Sequence, residues 1–495
     1  MERLDDFIEQ VIVSKPENRC FWWEGVWYDG AFLKDLMDKT VRALVASGFS
    51  KGDRLAVLMP NCPMILGLSL AVWRLGGVFC PLNAKPGASS LISTLSLLSP
   101  FAVAISEETH GEITAALDEN GYSHVICPHI EPPEPFKGKS VKIPESDENL
   151  AVIFSTSGTT GASKAVPLTH GNIISDCRGC MGRLEALRPG DVFLNVLPNF
   201  HAFGFTAGTM LPFFAASAQT IVANFMPPQN TVAAISESQA NVIILVPTML
   251  NFMLSLLERD GKKLSGVKIV VTGGDRYDPR FDDKVKTYMG VGVLEGYGIT
   301  ECSPVLSVNE SYDKRRLGTV GRMLDGFVFQ LRDEDGTVLT ENAKGEGVLW
   351  VSGSPVAKEY FRRAESDNSR FDNGWFNTGD YVKVEDGFIM VIDRVSDIII
   401  VGGFNVYPKE VEAILLTHPA VSAAVVVGIK SHIVGEIPKA FIIKKADASV
   451  TEQDIIRFCK DNLSHYKAPR KVEFVDAFPL SPAGKVLRRK LRERE

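Results

Sequence analysis

The segment from Ile153 to Lys164 combines hydroxyl side chains with two glycines and ends in a lysine. Successive backbone N–H groups of such a turn form a concave anion site, the hydroxyls add donors, and the lysine adds a positive charge. The Walker A spacing is absent, because Ser163 stands five residues after Gly158, where that loop has its second glycine. The segment predicts a phosphate site of another kind, although an isolated match is equally typical of a plain turn.

Short apolar runs alternate with amphipathic stretches from about residue 54 to 296, which predicts parallel strands joined by helices. The predicted strands are Leu55–Met59, Phe101–Ser106, Val152–Ser155, Val192–Leu197, Val242–Val246, Lys268–Thr272 and Val291–Leu294. The predicted helices are Pro63–Leu75, Gly171–Leu187 and Thr248–Arg259. The phosphate segment directly follows a strand, so we expect it at a carboxyl end, where open α/β sheets bind ligands.

The pattern changes after residue 318. Glycine-punctuated strands predict a small β subdomain up to residue 393, with Val328–Arg332, Val348–Ser352, Tyr381–Glu385 and Phe388–Ile392. A separate unit of about 100 residues follows, as expected for a compact domain. Its predicted elements are the helix Lys409–Leu416, the strands Ala423–Gly428 and Lys439–Ile443, the helix Glu452–Leu463 and a basic tail from Lys485.

The composition excludes several classes of protein. The chain has 495 residues, of which 45% are hydrophobic, so more than one packed domain is expected. Its net charge of −7 argues against a nucleic-acid partner held by electrostatics. The 8 cysteines show no disulfide framework, no secretory signal follows Met1, and Arg74 interrupts the longest apolar run. We therefore expect a cytoplasmic protein without a transmembrane segment.

Five further motifs complete the pattern, in the order Glu295-Gly-Tyr-Gly-Ile-Thr-Glu301, Trp375-Phe-Asn-Thr-Gly-Asp380, Asp393-Arg394, Gly402–Glu412 and Ser481-Pro-Ala-Gly-Lys485. With the phosphate segment, they resemble the adenylate-forming superfamily of acyl-CoA synthetases, nonribosomal peptide adenylation domains and luciferases. The resemblance covers nearly the whole chain from Gly52-Asp53 onward. Six motifs in one order make a chance match implausible.

The resemblance implies an α/β fold class with two unequal domains. The large N-terminal AMP-binding domain, residues 1–393, would hold two doubly wound α/β subdomains plus a small β subdomain. Residues 394–397 would form a hinge, and residues 398–495 a smaller, mobile α+β domain that carries the catalytic lysine. In the family this domain rotates between two half-reactions.

The resemblance also implies the chemistry. A carboxylic acid would react with ATP to give an acyl-adenylate and pyrophosphate, and the acyl group would then pass to the thiol of CoA. Protein groups would mainly neutralise charge and hold the reactants in line. The implied phosphate-binding residues are Thr156, Ser157, Gly158, Thr159, Thr160, Gly161 and Lys164. Mg²⁺ would be held by Thr156 and Glu301, since a hard cation prefers oxygen ligands.

The remaining site residues are also carried by the resemblance. Tyr297 would stack on adenine, Thr300 would bind the α-phosphate, and Asp380 would bind the ribose with Arg394 beside it. The nucleotide site would further include Gly274, Asp275, Arg276, Gly296, Gly298 and Ile392. Lys485 would bridge the carboxylate and the α-phosphate, where charge gathers in the transition state. Gly402 and Gly403 would leave a slot for the pantetheine arm of CoA.

Four positions depart from the family pattern. Ser163 and Ala165 replace the usual proline and glycine around the loop lysine, and Ser396 stands at the turning point of the hinge, where Asp or Lys is common. Glu359 stands where a glycine and tyrosine pair is usual before Tyr360. The first three are compatible with a second class of function, a catalytically quiet acyl or nucleotide sensor.

Several single residues have simpler alternatives. His201 fits a core or turn histidine as well as a catalytic residue beside the acyl carboxylate. Lys485 belongs to a basic run that could be a solvated helix face, but its Pro-x-Gly turn singles it out. Cys177 and Cys180 have the spacing of a metal or redox pair, yet no second pair matches and the segment predicts a helix.

The segment Phe200–Phe205 bears on the substrate. Family members that activate amino acids usually have an aspartate there to pair with the ammonium group, and this chain has none. An unpaired ammonium would cost several kcal/mol in an apolar site. An apolar acid, such as a fatty acid, is therefore favoured, although Asp275 and Arg276 would suit a polar or aromatic one. The candidate pocket walls are Phe203, Phe205, Met210, Phe213, Phe214, Met249, Phe252 and Met253, whose alternative role is core packing.

The expected partners are small molecules: a carboxylic acid, ATP and CoA. A holo-acyl carrier protein is the alternative acceptor, because the sequence also resembles acyl-acyl-carrier-protein synthetases. Peripheral membrane contact is left open, and the expected oligomeric state is a monomer or homodimer.

Overall fold

The computed structural model describes residues 2–83, 87–109, 111–141, 149–156, 164–333, 335–362, 369–401, 404–431, 435–446, 448–480 and 486–494, without the side chains of Glu112 and Thr156. The chain divides into two compact units. Unit 1 comprises Met1–Val328 and Val351–Phe376, and unit 2 comprises Phe329–Trp350 and Asn377–Glu495. The predicted combination of a large N-terminal and a small C-terminal domain with mixed α/β structure is confirmed.

The α-helices are α1 Leu4–Ser14, α2 Gly30–Ala46, α3 Pro63–Arg74, α4 Ala88–Leu98, α5 Glu112–Glu119, α6 His170–Arg183, α7 Leu211–Phe214, α8 Pro228–Ser238, α9 Pro247–Arg259, α10 Asp282–Met289, α11 Pro408–Leu415, α12 Glu452–Asn462 and α13 Arg488–Arg492. A π-helical segment, Gly204–Met210, precedes α7. Among the described residues, no helix is both long enough and apolar enough to cross a membrane.

The strands of the first half are β1 Arg19–Trp23, β2 Val26–Asp29, β3 Arg54–Leu58, β4 Val78–Pro81, β5 Ala102–Ile105, β6 His124–Ile126, β7 Leu150–Thr156, β8 Lys164–Thr169, β9 Val192–Asn195, β10 Ala218–Ile221, β11 Val242–Leu245, β12 Ile269–Thr272 and β13 Leu294–Gly298. Those of the second half are β14 Val305–Val308, β15 Arg322–Met323, β16 Phe327–Arg332, β17 Val338–Glu341, β18 Gly345–Gly353, β19 Phe371–Asp372, β20 Trp375–Glu385, β21 Phe388–Arg394, β22 Ile399–Val401, β23 Phe404–Val406, β24 Val421–Ser431, β25 Gly435–Lys444 and β26 Lys471–Phe474.

Unit 1 is built on two mainly parallel arrangements of strands. One sheet has the order β6-β5-β3-β4-β7-β8, and the other strands run in the order β2-β1-β10-β9-β11-β12-β13-β14-β15. The central strands are buried on both faces and are apolar except for Arg54 and Thr272 at strand ends, as helix-covered parallel sheets require. Both arrangements place the carboxyl ends of neighbouring strands at a shared edge, which is where the predicted motifs begin.

Local sequence explains how the helices of unit 1 begin. Pro63 opens α3, where its missing N–H and fixed φ suit a first turn, and the helix is apolar nearly all round because it is buried. Helix α6 begins with a reciprocal cap in which Asn172 N–H donates to Thr169 Oγ1 over 3.1 Å and Thr169 N–H donates to Asn172 Oδ1 over 2.8 Å.

Unit 2 contains antiparallel strands and a five-stranded sheet. The strands β17-β16-β18-β20-β21 lie side by side, and the sheet has the order β23-β22-β25-β24 with β26 paired to β25. Helices α11 and α12 pack on a core that includes Val411, Leu415, Val426 and Ile455. The predicted domain boundary at residue 393 and the hinge at 394–397 stay predictions.

The predicted strands and helices agree with the structure to within a few residues, with two exceptions. The expected strand Tyr381–Glu385 begins earlier, at Trp375. The expected strand Val291–Leu294 instead begins at Leu294 and runs to Gly298. A Cβ at Gly292 would lie 2.5 Å from the Arg315 guanidinium, so this stretch closes around Arg315 before the extended pairing begins.

Candidate active site

The motif from Glu295 to Glu301 forms strand β13 and a tight turn. A Cβ at Gly298 would lie 2.0 Å from the Pro304 carbonyl oxygen, so only glycine permits the chain to fold back there. The Ile299 N–H then donates to the same oxygen over 2.8 Å. The resulting turn carries Thr300, which is partly exposed, and Glu301, which is largely buried.

Segment 355–357 holds this turn from outside. Ser303 Oγ donates to the Pro355 carbonyl over 2.7 Å, and the Ala357 N–H donates to the Glu301 carbonyl over 2.8 Å. On the other side, the Val305 N–H donates to Asp176 Oδ1 of α6 over 3.1 Å. The backbone around Thr300 and Glu301 is therefore fixed by three hydrogen bonds to two separate parts of unit 1, segment 355–357 and α6.

Tyr360 joins two of the predicted motifs. Its hydroxyl donates to Glu301 Oε1 over 2.7 Å, and Lys164 Nζ lies 4.4 Å from the centre of its ring. Arg370 Nη1 lies 3.7 Å from the same Glu301 oxygen. Burial raises the pKa of the Tyr360 phenol, so its hydroxyl keeps its proton. Lys164, Glu301, Tyr360 and Arg370 form what we call the Glu301 cluster.

Sequence reasoning did not assign a role to Tyr360 or Arg370. Tyr360 enters the sequence motifs only as the residue after the unusual Glu359. The local signal for Arg370 is the Asn373-Gly374 pair just after it, since both residues have positive φ and close a two-residue hairpin between β19 and β20. In that hairpin Phe371 pairs with Phe376, and the Arg370 guanidinium lies 4.6 Å from the Phe376 ring centre.

A buried amide network shapes the segment that carries His201. Asn199 Nδ2 donates to Asn195 Oδ1 over 3.0 Å, and Asn61 Oδ1 accepts from the Asn199 N–H over 2.9 Å. A Cβ at Gly204 would lie 2.3 Å from the Pro198 carbonyl oxygen, so the turn requires glycine. His201 lies in this turn, partly buried and beside the Phe200 ring. Its chemical role stays a prediction.

The Phe203 side chain of this turn lies against the residues that follow β12. A Cβ at Gly273 would lie 3.4 Å from Phe203 Cζ, and one at Gly274 would lie 4.0 Å from Phe203 Cδ1. The same Cβ at Gly273 would lie 3.1 Å from the Gly296 carbonyl oxygen of β13. The structure therefore gathers the predicted Gly274 and Gly296 positions and the His201 turn along one strand edge.

The neighbouring residues differ in exposure. Asp275 and Arg276 are exposed, and the Arg276 N–H donates to Asp275 Oδ1 over 2.7 Å. Tyr297 is partly exposed in β13. Glu295 is buried, its Oε1 accepts the Gly318 N–H over 2.7 Å, and burial raises the pKa of its carboxyl to about 7.

Unit 2 contains the second part of the predicted nucleotide site. Asp380 in β20 pairs in register with Arg394 in β21, and Arg394 Nε lies 3.1 Å from Asp380 Oδ1. Asp380 is buried, and Ile392 lies partly buried on the same strand as Arg394. Next to them, the buried Asp393 carboxylate accepts the Lys409 N–H at the start of α11 over 2.9 Å.

Several predicted residues lie outside the described residues. They are Ser157, Gly158, Thr159, Thr160, Gly161, Gly402, Gly403 and Lys485, together with the side chain of Thr156. The ends of the phosphate segment are described: Thr156 closes β7, and Lys164 opens β8 directly opposite. The segment thus joins the two strands of a hairpin at the carboxyl end of β7, as predicted.

The predicted pocket walls differ in burial. Phe205, Met210 and Met253 are 0% exposed and belong to packed cores, which agrees with their alternative role as core residues. Phe252 is 51% exposed, whereas Phe203 and Met249 are partly buried. Cys177 and Cys180 are buried in α6 as the helix prediction expected, and burial raises the pKa of both thiols.

The Glu301 cluster is compatible with a magnesium nucleotide. Glu301 offers a carboxylate with one oxygen engaged, and within the described ranges no group of three or more His, Cys, Asp or Glu side chains could hold a metal. Mg²⁺ commonly takes one or two protein carboxylates and completes its shell with phosphate oxygens and water. The residues present fit that arrangement rather than an all-protein metal cage.

Comparison with known proteins agrees with this geometry. Residues 8–361 match the family model for AMP-binding enzymes, and residues 410–485 match that for the C-terminal domain of AMP-binding enzymes. The chain is 30% identical to the long-chain-fatty-acid–CoA ligase of Yersinia pestis over 487 residues, which cover 90% of this chain and 86% of that protein. It is also 30% identical to a feruloyl-CoA synthase of Amycolatopsis sp over 473 residues, covering 94% and 93%.

A solved structure shows the same fold. ATP-bound MatB from Rhodopseudomonas palustris has a TM-score of 0.88 and 27% identity to this chain and covers 99% of both proteins. The chain therefore belongs to the family of AMP-binding enzymes. Its class of activity is that of an AMP-forming acyl-CoA ligase.

Proposed function

We propose that the chain activates an apolar carboxylic acid, such as a fatty acid, with ATP and then transfers the acyl group to the thiol of CoA. The observation that carries this proposal is the Glu301 cluster, in which Tyr360 contacts both the lysine of the phosphate segment and the carboxylate of the Glu295–Glu301 motif. Residues from distant motifs meet there at a place suited to phosphate and a divalent cation.

In the first half-reaction, a carboxylate oxygen attacks the α-phosphorus of ATP and the bond to the bridging oxygen of pyrophosphate breaks. Thr156 to Gly161 and Lys164 bind the β- and γ-phosphates, and Thr300 binds the α-phosphate. Glu301 and Thr156 would hold Mg²⁺, which would supply positive charge to the phosphates and to the departing pyrophosphate. Lys485 neutralises charge between the carboxylate and the α-phosphate.

The remaining residues orient the nucleotide. Tyr297 stacks on adenine, with Gly274, Asp275, Arg276, Gly296 and Gly298 along the same strand edge. Asp380 binds the ribose hydroxyls, and Arg394 beside it keeps that carboxylate oriented, in line with their 3.1 Å contact. Because positioning supplies much of the rate in phosphoryl and nucleotidyl transfer, these contacts have catalytic consequences.

In the second half-reaction, the thiolate of CoA attacks the carbonyl carbon of the acyl-adenylate. AMP departs with the oxygen that came from the carboxylate. Residues 398–495 would turn about residues 394–397 between the two steps, withdrawing Lys485 and presenting the Gly402-Gly403 slot to the pantetheine arm. Ser396 would be the turning point.

Three features favour an apolar acid. The turn Phe200–Phe205 has no acidic residue to pair with a substrate ammonium. The partly buried Phe203 ring lies against Gly273 and Gly274, and the partly buried Met249 follows the end of β11. A fatty acid fits these surroundings, while the exposed Asp275 and Arg276 would suit an aromatic acid of the feruloyl kind.

Exchange of labelled pyrophosphate into ATP, measured across a panel of fatty, aromatic and amino acids, tests the first half-reaction. We expect exchange with apolar acids and loss of exchange in Lys485→Ala. The matched control is Lys490→Ala, which removes an exposed lysine of the same basic run. Exchange with none of the acids would favour the sensor alternative, and equal exchange in both lysine variants would overturn the role of Lys485.

The acceptor needs a second experiment. The active acid is incubated with ATP and either CoA or a holo-acyl carrier protein, and the acyl thioester is detected by mass spectrometry. Acyl-CoA as the main product supports the proposal. If the acyl thioester of the carrier protein is the main product, the carrier protein replaces CoA as the acceptor, and the adenylating step is unchanged.

A further inference from the structure

The two oxygens of the Glu301 carboxylate have different surroundings. Oε1 accepts the Tyr360 hydroxyl at 2.7 Å and lies 3.7 Å from Arg370 Nη1. Within the described ranges of the chain, Oε2 accepts no hydrogen bond. One oxygen is therefore engaged by protein groups, and the other is left to a ligand.

We propose that Tyr360 and Arg370 are positioning residues that hold Glu301 in one orientation, with Oε2 presented to the metal of the bound nucleotide. This inference rests on the proposed adenylating function and assigns two residues to it that the motifs do not. Neither side chain needs to touch the nucleotide, because both act through the orientation of Glu301. A carboxylate fixed before the metal arrives avoids the entropy cost of ordering it then.

Tyr360 is well suited to fix a neighbour. It is 1% exposed, and its ring packs edge-on against Phe371 with centroids 5.3 Å apart. The next residue, Phe361, donates its N–H to the Ala165 carbonyl over 2.9 Å, which ties this stretch to β8 beside Lys164. The phenol therefore has little freedom to turn away from Glu301, and the same ring supports the lysine of the phosphate segment.

Arg370 contributes charge from a rigid hairpin. The Asn373-Gly374 turn and the Phe371 and Phe376 pair fix the start of β19, and the guanidinium stacks on the fully buried Phe376 ring. At 3.7 Å the ion pair is loose, and the arginine side chain is 31% exposed, so its contribution to folding is small. Its effect is directional, since its charge attracts Oε1.

Outer-shell partners of a metal-binding side chain commonly change metal affinity by about 10-fold to 100-fold when they are removed. Tyr360→Phe removes the hydrogen bond and keeps the ring beneath Lys164. Arg370→Gln removes the charge and keeps most of the side-chain length. Each variant therefore alters one of the two contacts to Oε1 while leaving Glu301 in place.

The test uses the full-length protein and two readouts. Calorimetry gives the Kd of ATP with excess Mg²⁺ and with EDTA, and pyrophosphate exchange gives the Mg²⁺ concentration for half-maximal rate. We expect Tyr360→Phe to weaken ATP binding in Mg²⁺ by about 10-fold, with a smaller loss in Arg370→Gln. Binding of ATP in EDTA should stay at the wild-type value.

Tyr312→Phe is the matched control. It removes a hydroxyl of the same unit that accepts the Val270 N–H and donates to the Lys268 carbonyl, away from the Glu301 cluster. An unchanged Mg²⁺ dependence in Tyr360→Phe, or an equal change in Tyr312→Phe, would overturn the inference. If Tyr360→Phe does not fold, Arg370→Gln decides by the same criteria.

Glu301→Gln separates this inference from the proposed function. If that variant binds ATP in Mg²⁺ as wild type does, the metal role of Glu301 is wrong and the inference falls with it. If no acid supports exchange in wild type but Tyr360→Phe still loses Mg²⁺-dependent ATP binding, the positioning role holds while the adenylating function fails.

Discussion

Two motif glutamates, Glu301 in unit 1 and Glu412 in unit 2, show opposite ways of using a buried carboxylate. In Glu412, Oε1 accepts the Val426 N–H at 2.7 Å and lies 2.8 Å from Arg488 Nη1, and Oε2 accepts Arg488 Nη2 at 3.0 Å. Both oxygens are satisfied by the protein. In Glu301, Oε1 accepts the Tyr360 hydroxyl, and no hydrogen bond from the described residues reaches Oε2.

This difference distinguishes a buried carboxylate with a structural role from a buried carboxylate that can bind a ligand. The Glu412 pair is bidentate and extends to Asp397, whose Oδ1 lies 2.8 Å from Arg492 Nη2. Such a network orders the chain and leaves no capacity for a ligand. A buried carboxylate with one oxygen held and the other available is organised for a partner that comes from outside. The predictions below address this contrast, in order of decreasing effect.

The largest effect is expected for Glu301→Gln. Pyrophosphate exchange should fall roughly 1000-fold, about 4 kcal/mol of transition-state stabilisation, because the charge that binds the metal is lost. The melting temperature should stay close to wild type, since Tyr360 can still donate to the amide oxygen. Exchange kinetics and thermal melting measure the two quantities. A large drop in melting temperature with normal exchange would make Glu301 a structural acid like Glu412.

Glu412→Gln should give the reverse pattern. Removing one partner of this pair leaves the Arg488 charge poorly compensated, so unit 2 should lose about 3 to 4 kcal/mol of unfolding free energy. Hydrogen exchange of the β24 amides, read by mass spectrometry, reports that loss. Exchange of pyrophosphate per folded molecule should stay near wild type. Unaltered amide protection would show that the pair has no structural role.

A third buried acid, Glu295, should make the unfolding free energy depend on pH. Burial raises the pKa of its carboxyl from 4.5 to about 7, so the folded state binds the proton more tightly than the unfolded state. Its contribution to stability is complete below pH 4.5 and is lost as the pH rises through 7. The wild-type unfolding free energy should thus fall by roughly 3 kcal/mol across this window relative to Glu295→Gln.

Denaturant unfolding of both proteins at pH 5 and pH 8 measures this difference. The glutamine variant keeps an oxygen to accept the Gly318 N–H, so the comparison isolates the charge. Parallel pH curves for the two proteins would mean that Glu295 titrates normally in the folded state.

The smallest effect is expected for Asp176→Asn. Asp176 is 0% exposed, and burial raises the pKa of its carboxyl well above the ordinary value, which favours the neutral form. Asparagine keeps the acceptor for the Val305 N–H, and the change in unfolding free energy should stay below about 1 kcal/mol. Asp176→Ala, which removes the acceptor, should cost about 2 kcal/mol. Equal losses in both variants would indicate that the charged form matters.

The sequence predicted the elements well where a local pattern determines them. The buried strands β3, β11 and β12 consist mainly of apolar residues. Pro63 and Pro247 mark the starts of α3 and α9. Phe252, a predicted pocket wall, is 51% exposed, and the helical pattern explains that exposure. In α9 the buried stripe runs through Leu250, Met253, Leu254 and Leu257, and Phe252 lies off that stripe.

The site was predictable only as a set of motifs. Glu301 and Glu412 both stand in motifs, and nothing in the sequence tells which oxygen of either is engaged. The Tyr360 hydroxyl reaches a residue 59 positions earlier in the chain, and that contact depends on the fold of segment 355–361 against the turn after β13. Local patterns cannot specify such a contact, because it is fixed by tertiary packing.

The central claim is that this chain activates a carboxylic acid as an acyl-adenylate. The direct measurement uses the active acid labelled with ¹⁸O in both carboxylate oxygens, with ATP and CoA, and analyses the products by mass spectrometry. One ¹⁸O atom should appear in AMP, because the carboxylate oxygen that attacks the α-phosphorus leaves with it. Label in inorganic phosphate with ADP as the nucleotide product, or unlabelled AMP alongside acyl-CoA, would contradict the claim.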